Sequence, residues 1–506
     1  MTNQKFLLGL VIASIFLWLI ALGNLPLRDW DEGTYAIVAR EIYRTGNWLY
    51  PTLQGEPFML KPPLMQWLIA LCYHLGGVQE FTTRFPGAFL TALGVPLLYL
   101  VGNLVFTEKI SALFSALVYL TLLPVVRHGR LAMLDGMILT FFLLLFFFIL
   151  KAREQRKYAL GIGFCLGLIT LTKGTLVLVL ALMSGLFIIA NKQLGLFKNP
   201  FFWLGMLFGN LPAVAWYLCQ WQHYGNNFLA VHFASQAFDR LATSVEGNTG
   251  PIWYYLLEVI KYSFPWLLLV PGGLYLAWKN RHYPWGSLIL ICTIVYFTII
   301  SFMKTKLPWY VIPIYPFLAL ATGANLGFIW QQNKIRNKFL IGFFIFISIV
   351  GVAGCIYFLR FDRQPLLVLM SIILMLTMGL VAWLIQSNNR NFIPVLFAGM
   401  YMVLVLLMSS QSWIWELNEA FPVKPIATLI SKNIPPGTKI YTSFAYHRPS
   451  LDFYSDCQVV PASLEMLQEM LSQKSYLLVD NDNLQKLNVN KSKIMGTENG
   501  LNLIAS

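Results

Sequence analysis

The stretch "FLLGLVIASIFLWLIALGNLPLRDWDEGTYAIVAREIYRTG", residues 6–46, joins an apolar run directly to a cluster of carboxylates. Residues 6–25 are almost wholly apolar and long enough to cross a bilayer, which takes about 20 helical residues. Asp29, Asp31 and Glu32 follow. Beyond them Tyr35, Val38, Ala39 and Ile42 recur at helical spacing on one face, and Gly46 is placed to end the helix. An amphipathic helix directly after a span is expected to lie along the membrane surface. Asp29 and Glu32 suit its first turn, where free N–H groups and the helix dipole favour carboxylates. Capping accounts for one or two of the acids, not three. A carboxylate at a membrane boundary is also placed to act as a base or to hold a cation.

Composition sets the class. The 506 residues are 57% hydrophobic and 11% charged, with a mean hydropathy of +0.63. A soluble chain could not bury that much apolar surface, so the chain is expected to be a polytopic membrane protein. The net charge of +14 reflects basic cytoplasmic loops rather than nucleic-acid binding, for which no motif is present. No small-residue cleavage site follows the first apolar run, which is therefore expected to be retained as a helix. Five of the six cysteines lie in or beside apolar segments; only Cys457 sits in a polar one. Their spacing gives neither a disulfide framework nor a metal motif.

Apolar stretches fall near 6–25, 82–105, 110–126, 131–150, 158–174, 176–190, 200–219, 260–278, 285–303, 308–330, 339–359, 365–385 and 393–412, about thirteen spans. The shorter 61–76 segment is expected to lie along the interface. The basic loops 151–158, 191–198, 278–282 and 331–338 fall on one side, the cytoplasm. The loops 26–81 and 220–259 and the segment after 412 then lie outside. The organisation expected is an all-α polytopic domain over 1–412 and a small soluble α/β domain over 413–506. In the latter "KPIATLISKNI" and "SLEMLQEMLSQ" read as helices, and "KIYTSF" and "YLLVDN" as strands. No internal repeat supports a repeat-built transporter.

Cations gather on the outer side. Lys61 begins the Pro62–Pro63 turn of "FMLKPPLMQW", either snorkelling to headgroups or binding a lipid phosphate. "RHGRLAMLDGMIL" brings Arg127, Arg130 and Asp135 between two apolar segments. "LTKGTLVLVL" adds Lys173, and "FMKTKLPWYVIPIYP" adds Lys304, Lys306 and Tyr310. Outer-face cations run against the usual charge bias and suit an anionic ligand.

"DEGTYAIVAREI…GNWLYPTLQGEPFMLKPPLMQW", "RLAMLDGMILTF", "LTKGTLVLVL" and "KTKLPWYVIPIYPFLAL", in this order, resemble the polyprenyl-phosphate-dependent GT-C glycosyltransferases. The nearest type is the lipid A aminoarabinose transferase, in the family 39 group related to protein O-mannosyltransferases. "IPPGTKIYTSFAYHRPSLDFYSD" resembles that type's outer domain. The resemblance implies a GT-C fold with interfacial helices in the first outer loop, in the inner membrane, with the site and the C-terminal domain on the periplasmic side. It implies inverting transfer of a sugar from a polyprenyl-phosphate carrier to a lipid or protein acceptor. Asp31 and Asp135 match its catalytic acids; Lys61, Tyr35, Arg130, Lys173, Arg240, Lys306 and Tyr310 are the expected substrate contacts. Two positions depart from the pattern. Thr34 stands where these transferases usually have Arg, and Leu60 where they have a Glu associated with a metal, so a divalent metal is in doubt. The alternatives are a protein O-mannosyltransferase-like enzyme and, from another class, a lipid or sugar flippase using Asp135 and Lys173 as pathway charges.

Overall fold

The computed structural model describes residues 2–233, 247–332, 337–414, 421–487 and 493–506. The chain divides into two compact units. The first comprises Met1–Leu22, Met59–Met65 and Phe85–Trp413; the second comprises Gly23–Phe58, Gln66–Arg84 and Ile414–Ser506.

The first unit is helical. Among the described residues eight helices are long and apolar enough to cross a membrane, and two bent pairs, Lys109–Leu120 with Leu123–Arg130 and Tyr254–Tyr262 with Trp266–Lys279, raise the number to ten. The other three expected spans, 6–25, 158–174 and 176–190, appear as the shorter helices Thr2–Leu19, Leu160–Lys173 and Leu176–Ala190. At 1.5 Å per residue, the 14 residues of the second cover about 21 Å, less than the roughly 30 Å hydrocarbon core. Large apolar side chains such as Phe346, Ile349, Leu376 and Trp383 are exposed on helices Lys338–Tyr357 and Pro365–Gln386. Water would not tolerate such faces; lipid does.

Helix Leu160–Lys173 packs on helix Pro200–Tyr224 through facing glycines. A Cβ at Gly163 would lie 2.0 Å from the Gly205 carbonyl oxygen, and one at Gly167 would lie 2.0 Å from that of Gly209. Both pairs are spaced by four, so each helix presents a groove one residue wide to its neighbour's backbone. This contact sets Gly174, which follows Lys173 at the end of its helix, beside Tyr217 of the partner helix.

In the second unit helix Asp31–Thr45 buries Tyr35, Val38, Ala39 and Ile42, the face expected from their spacing. Gly46 adopts φ 70° and its N–H bonds the Ile42 carbonyl, ending the helix. A short hairpin, β1 (Thr52–Leu53) and β2 (Glu56–Pro57), is held by Glu41, which accepts from the Gln54 and Gly55 N–H groups. Strands β3 (Lys439–Thr442), β4 (Gln458–Pro461), β5 (Tyr476–Asp480), β6 (Ile494–Glu498) and β7 (Leu501–Ala505) form a sheet ordered β4-β3-β5-β7-β6. The first three are parallel and the last two antiparallel to their neighbours. Alternation along β5 sends Leu478 to a core with Ile426, Ile430 and Leu451, and Leu477 and Val479 to a core with Leu467 and Ile504. The helices expected in this segment are Val423–Asn433 and Leu464–Ser472, the second capped by the Ser463 hydroxyl on the Met466 N–H.

Candidate active site

The three acids of the opening stretch have three different fates. Glu32 is buried and forms a two-point ion pair with Arg84, with Nε and Nη2 each 2.8 Å from its oxygens. It also accepts the Arg28 N–H at 2.8 Å. Asp29 is buried against Arg448 Nη1 at 2.6 Å and accepts the Ser450 hydroxyl and N–H. The capping expected of this pair is therefore corrected. The helix's own N-cap position is Trp30, with no side-chain bond, and Asp29 instead caps the start of helix Pro449–Ser455. Gly33 lets the two helices meet: a Cβ there would lie 2.7 Å from the Ser450 nitrogen. Asp31 is different. It is half-buried, and among the described residues its carboxylate receives one long hydrogen bond, 3.4 Å from the Tyr35 hydroxyl. Tyr35 itself is buried.

Within the first unit a second group forms around Lys173. Its Nζ lies 2.5 Å from Asp135 Oδ1 and 5.5 Å from the centre of the Tyr310 ring. Asp135 is buried at the start of helix Leu134–Lys151. Gly174 ends the lysine's helix at φ 52°, and a Cβ there would meet Tyr217 Oη at 3.0 Å, His232 Nε2 at 3.1 Å and Pro62 at 3.7 Å. The Lys61–Pro62 turn, Lys173, Tyr217, His232 and Tyr310 are thus neighbours. His232 Nδ1 is 2.9 Å from the Met59 carbonyl and Nε2 is 2.9 Å from Tyr217 Oη. Burial, with the Lys61 charge nearby, holds the imidazole below its ordinary pKa. A neutral ring that donates from Nδ1 must accept at Nε2, so Tyr217 is the donor. The positive charge of this group therefore comes from Lys61 and Lys173. Asp135 serves as the lysine's counter-ion.

Two expected substrate contacts have other tasks. Arg130 is fully buried, its Nη1 on the Leu17 carbonyl at 2.7 Å and its Nη2 on the Ile20 and Met408 carbonyls at 2.7 and 3.2 Å. It closes the C-terminal ends of helices Thr2–Leu19 and Phe392–Ser409. Lys306 is buried likewise, donating to Ile300 and Ser301 carbonyls at 3.0 and 2.6 Å at the end of helix Pro284–Phe302. Free carbonyls at a helix end also attract cations, and the sequence does not distinguish them from a phosphate. Arg240 lies outside the described residues. The described residues do not suit the metal that the resemblance implies. Leu60 offers no ligand, both His232 nitrogens are engaged, and no cluster of three His, Cys, Asp or Glu side chains occurs among the described residues.

Residues 60–218, which carry Lys61, Asp135, Lys173 and Tyr217, match the family described as dolichyl-phosphate-mannose-protein mannosyltransferase. The undecaprenyl phosphate-alpha-4-amino-4-deoxy-L-arabinose arabinosyl transferase of Yersinia pestis is 28% identical over 417 residues, 80% of this chain and 73% of that one. Its counterpart from Pseudomonas fluorescens is 29% identical over 369 residues, 71% of this chain and 66% of that one. The chain is similar to these transferases over most of its length. Its fold is that of ArnT from Cupriavidus metallidurans bound to undecaprenyl phosphate, with a TM-score of 0.82 over 99% of this chain and 98% of that one at 19% identity. The resemblance read from the ordered motifs is borne out. What the motifs did not indicate are Tyr217 and His232. One is among 23 tyrosines and the other among six histidines, and neither stands in a recognisable pattern.

Proposed function

We propose that the chain is an inverting glycosyltransferase of about thirteen membrane helices, its site and C-terminal α/β domain on the periplasmic side of the inner membrane. It takes a sugar from a polyprenyl-phosphate carrier and passes it to a lipid A-like acceptor. The observation that carries this reading is the sorting of the three acids: ion pairs engage Asp29 and Glu32, and Asp31 keeps an available carboxylate. Asp31 takes the proton of the acceptor hydroxyl as its oxygen attacks the anomeric carbon. The sugar–phosphate bond breaks on the opposite face, and the leaving phosphate departs with the electron pair. Lys61 and Lys173 neutralise that phosphate, Lys173 held in place by Asp135. Tyr217 and neutral His232 position the Met59–Pro62 turn that carries Lys61. No step requires a metal.

The test is Asp31→Asn in the purified full-length protein, given a polyprenyl-phosphate sugar and a lipid A acceptor. Loss of a positioned base costs roughly 10²–10⁴-fold in rate. Turnover near the parent's in a folded Asn variant would remove Asp31 from the chemistry. The match over 60–218 favours a second reading, transfer to a protein hydroxyl. A serine- and threonine-containing peptide offered in parallel decides between the acceptors.

A further inference from the structure

Trp30 stands between Asp29 and Asp31 in a conformation that L residues rarely adopt, φ 66° and ψ −126°. Both flanks are pinned, Asp29 to Arg448 and Ser450, Glu32 to Arg84. Such conformations persist where the surroundings over-determine them, and they concentrate at functional sites. The result here is an indole that stays 40% exposed while stacking on Tyr446, ring centroids 5.0 Å apart and planes 21° off parallel. Tyr446 is fixed in turn. Its hydroxyl accepts from Arg448 Nη2 at 2.7 Å, and the same guanidinium reaches Asp29 through Nη1. A rigid aromatic pair, one member open, therefore adjoins the proposed base.

We propose that Trp30 and Tyr446 form a stacking platform for a pyranose ring of the acceptor, which makes the acceptor a glycolipid. The inference rests on the glycosyltransferase reading of Asp31. The C–H face of a pyranose is apolar and slightly positive, and it packs on the negative face of an indole. The acceptor ring is the one concerned because Asp31 takes the acceptor's proton, whereas the donor sugar is tied to its phosphate. A tryptophan that only anchored the protein at the headgroup level would need neither a forced backbone nor a clamped partner.

The experiment measures KM for lipid A and for the polyprenyl-phosphate sugar separately, in full-length parent, Trp30→Ala, Trp30→Gly and Tyr446→Leu proteins. Trp30→Ala should raise the lipid A KM roughly three- to tenfold with the donor KM unmoved, Tyr446→Leu less. Trp30→Gly relieves the positive φ, so it should unfold at or above the parent's temperature and still show the raised acceptor KM. A lipid A KM equal to the parent's in Trp30→Ala and Trp30→Gly overturns the platform, and so does a rise in donor KM instead. If Asp31→Asn is inactive while the Trp30 variants bind acceptor normally, the platform falls and the enzyme reading stands. If the parent transfers sugar to the peptide and not to lipid A, the platform falls together with the lipid acceptor.

Discussion

Replacing Glu32 by Gln should destabilise the second unit without touching the chemistry directly. Glu32 and Arg84 side chains are 1% and 0% exposed, and the carboxylate receives two guanidinium bonds and one main-chain bond, each 2.8 Å. The amide keeps the shape but leaves the Arg84 charge buried and uncompensated. Breaking a buried pair in this way costs about 3–5 kcal/mol, a large share of the 5–15 kcal/mol that holds a typical domain. Adding Arg84→Met removes the stranded charge, so the double variant should be less damaged than the sum of its parts. It should not recover fully, because Arg84 also donates to the Leu25 and Pro26 carbonyls at 2.7 Å and each lost partner costs about 1–3 kcal/mol. The assay is thermal unfolding of detergent-solubilised protein followed by limited proteolysis of the C-terminal segment. Asp31→Asn is the control: its single 3.4 Å bond predicts a change within about 0.5 kcal/mol. Equal unfolding temperatures for Glu32→Gln and the parent, or a larger loss in Asp31→Asn, would refute the sorting of the acids on which the reading of Asp31 depends.

Lys61→Ala should weaken binding of the polyprenyl phosphate on the order of ten- to a hundredfold, the worth of a charge-assisted bond, and Lys61→Arg should keep part of it; equal affinity in all three would make Lys61 a headgroup anchor. For orientation, a cysteine at exposed Glu56 should react with an impermeant thiol reagent in intact cells, and one at exposed Gln155 only after the membrane is opened; the reverse pattern would move Asp31 to the cytoplasm. Native Cys457 cannot report this, because it is 5% exposed and its thiol faces the Pro435 carbonyl, so it should label only after unfolding.

Periodicity made the local elements legible. The buried face of helix Asp31–Thr45 follows from a spacing of 3.6 and the strand around Ile440 from one of 2, while Gly46 marks the helix's stop and the strand around Leu478 reads as a short continuous apolar run. Cys457 stands in a polar segment, yet strand alternation around Val459 buries it. The partners of charged side chains were not legible. Asp29 meets Arg448, 419 positions away, and no local pattern announces such a pair. The same limit applies to Arg130 and Lys306. Each looked like an anion ligand because it stood beside a span, and each answers to main-chain carbonyls that only the assembled helices bring within reach. A bend inside a span was not legible either. Hydropathy registers apolar length, and it does not register the break at Thr121–Leu122 that bends one apolar run by 55°.

The second unit takes its residues from both ends of the chain, and this gives its assembly an order in time. Arg84 leaves the ribosome soon after Glu32, so that pair can close early. Arg448 and Asp456, the partners of Asp29, Arg40 and Arg44, follow only after roughly 360 further residues have been made. At 5–20 residues per second that is a delay on the order of tens of seconds. For that interval Arg448 is not there to pair with Asp29, and the helix that Gly33 is shaped to receive does not yet exist. A ribosome that stops early therefore leaves helix Asp31–Thr45 without the segment that packs on Gly33 and pairs with Asp29, Arg40 and Arg44.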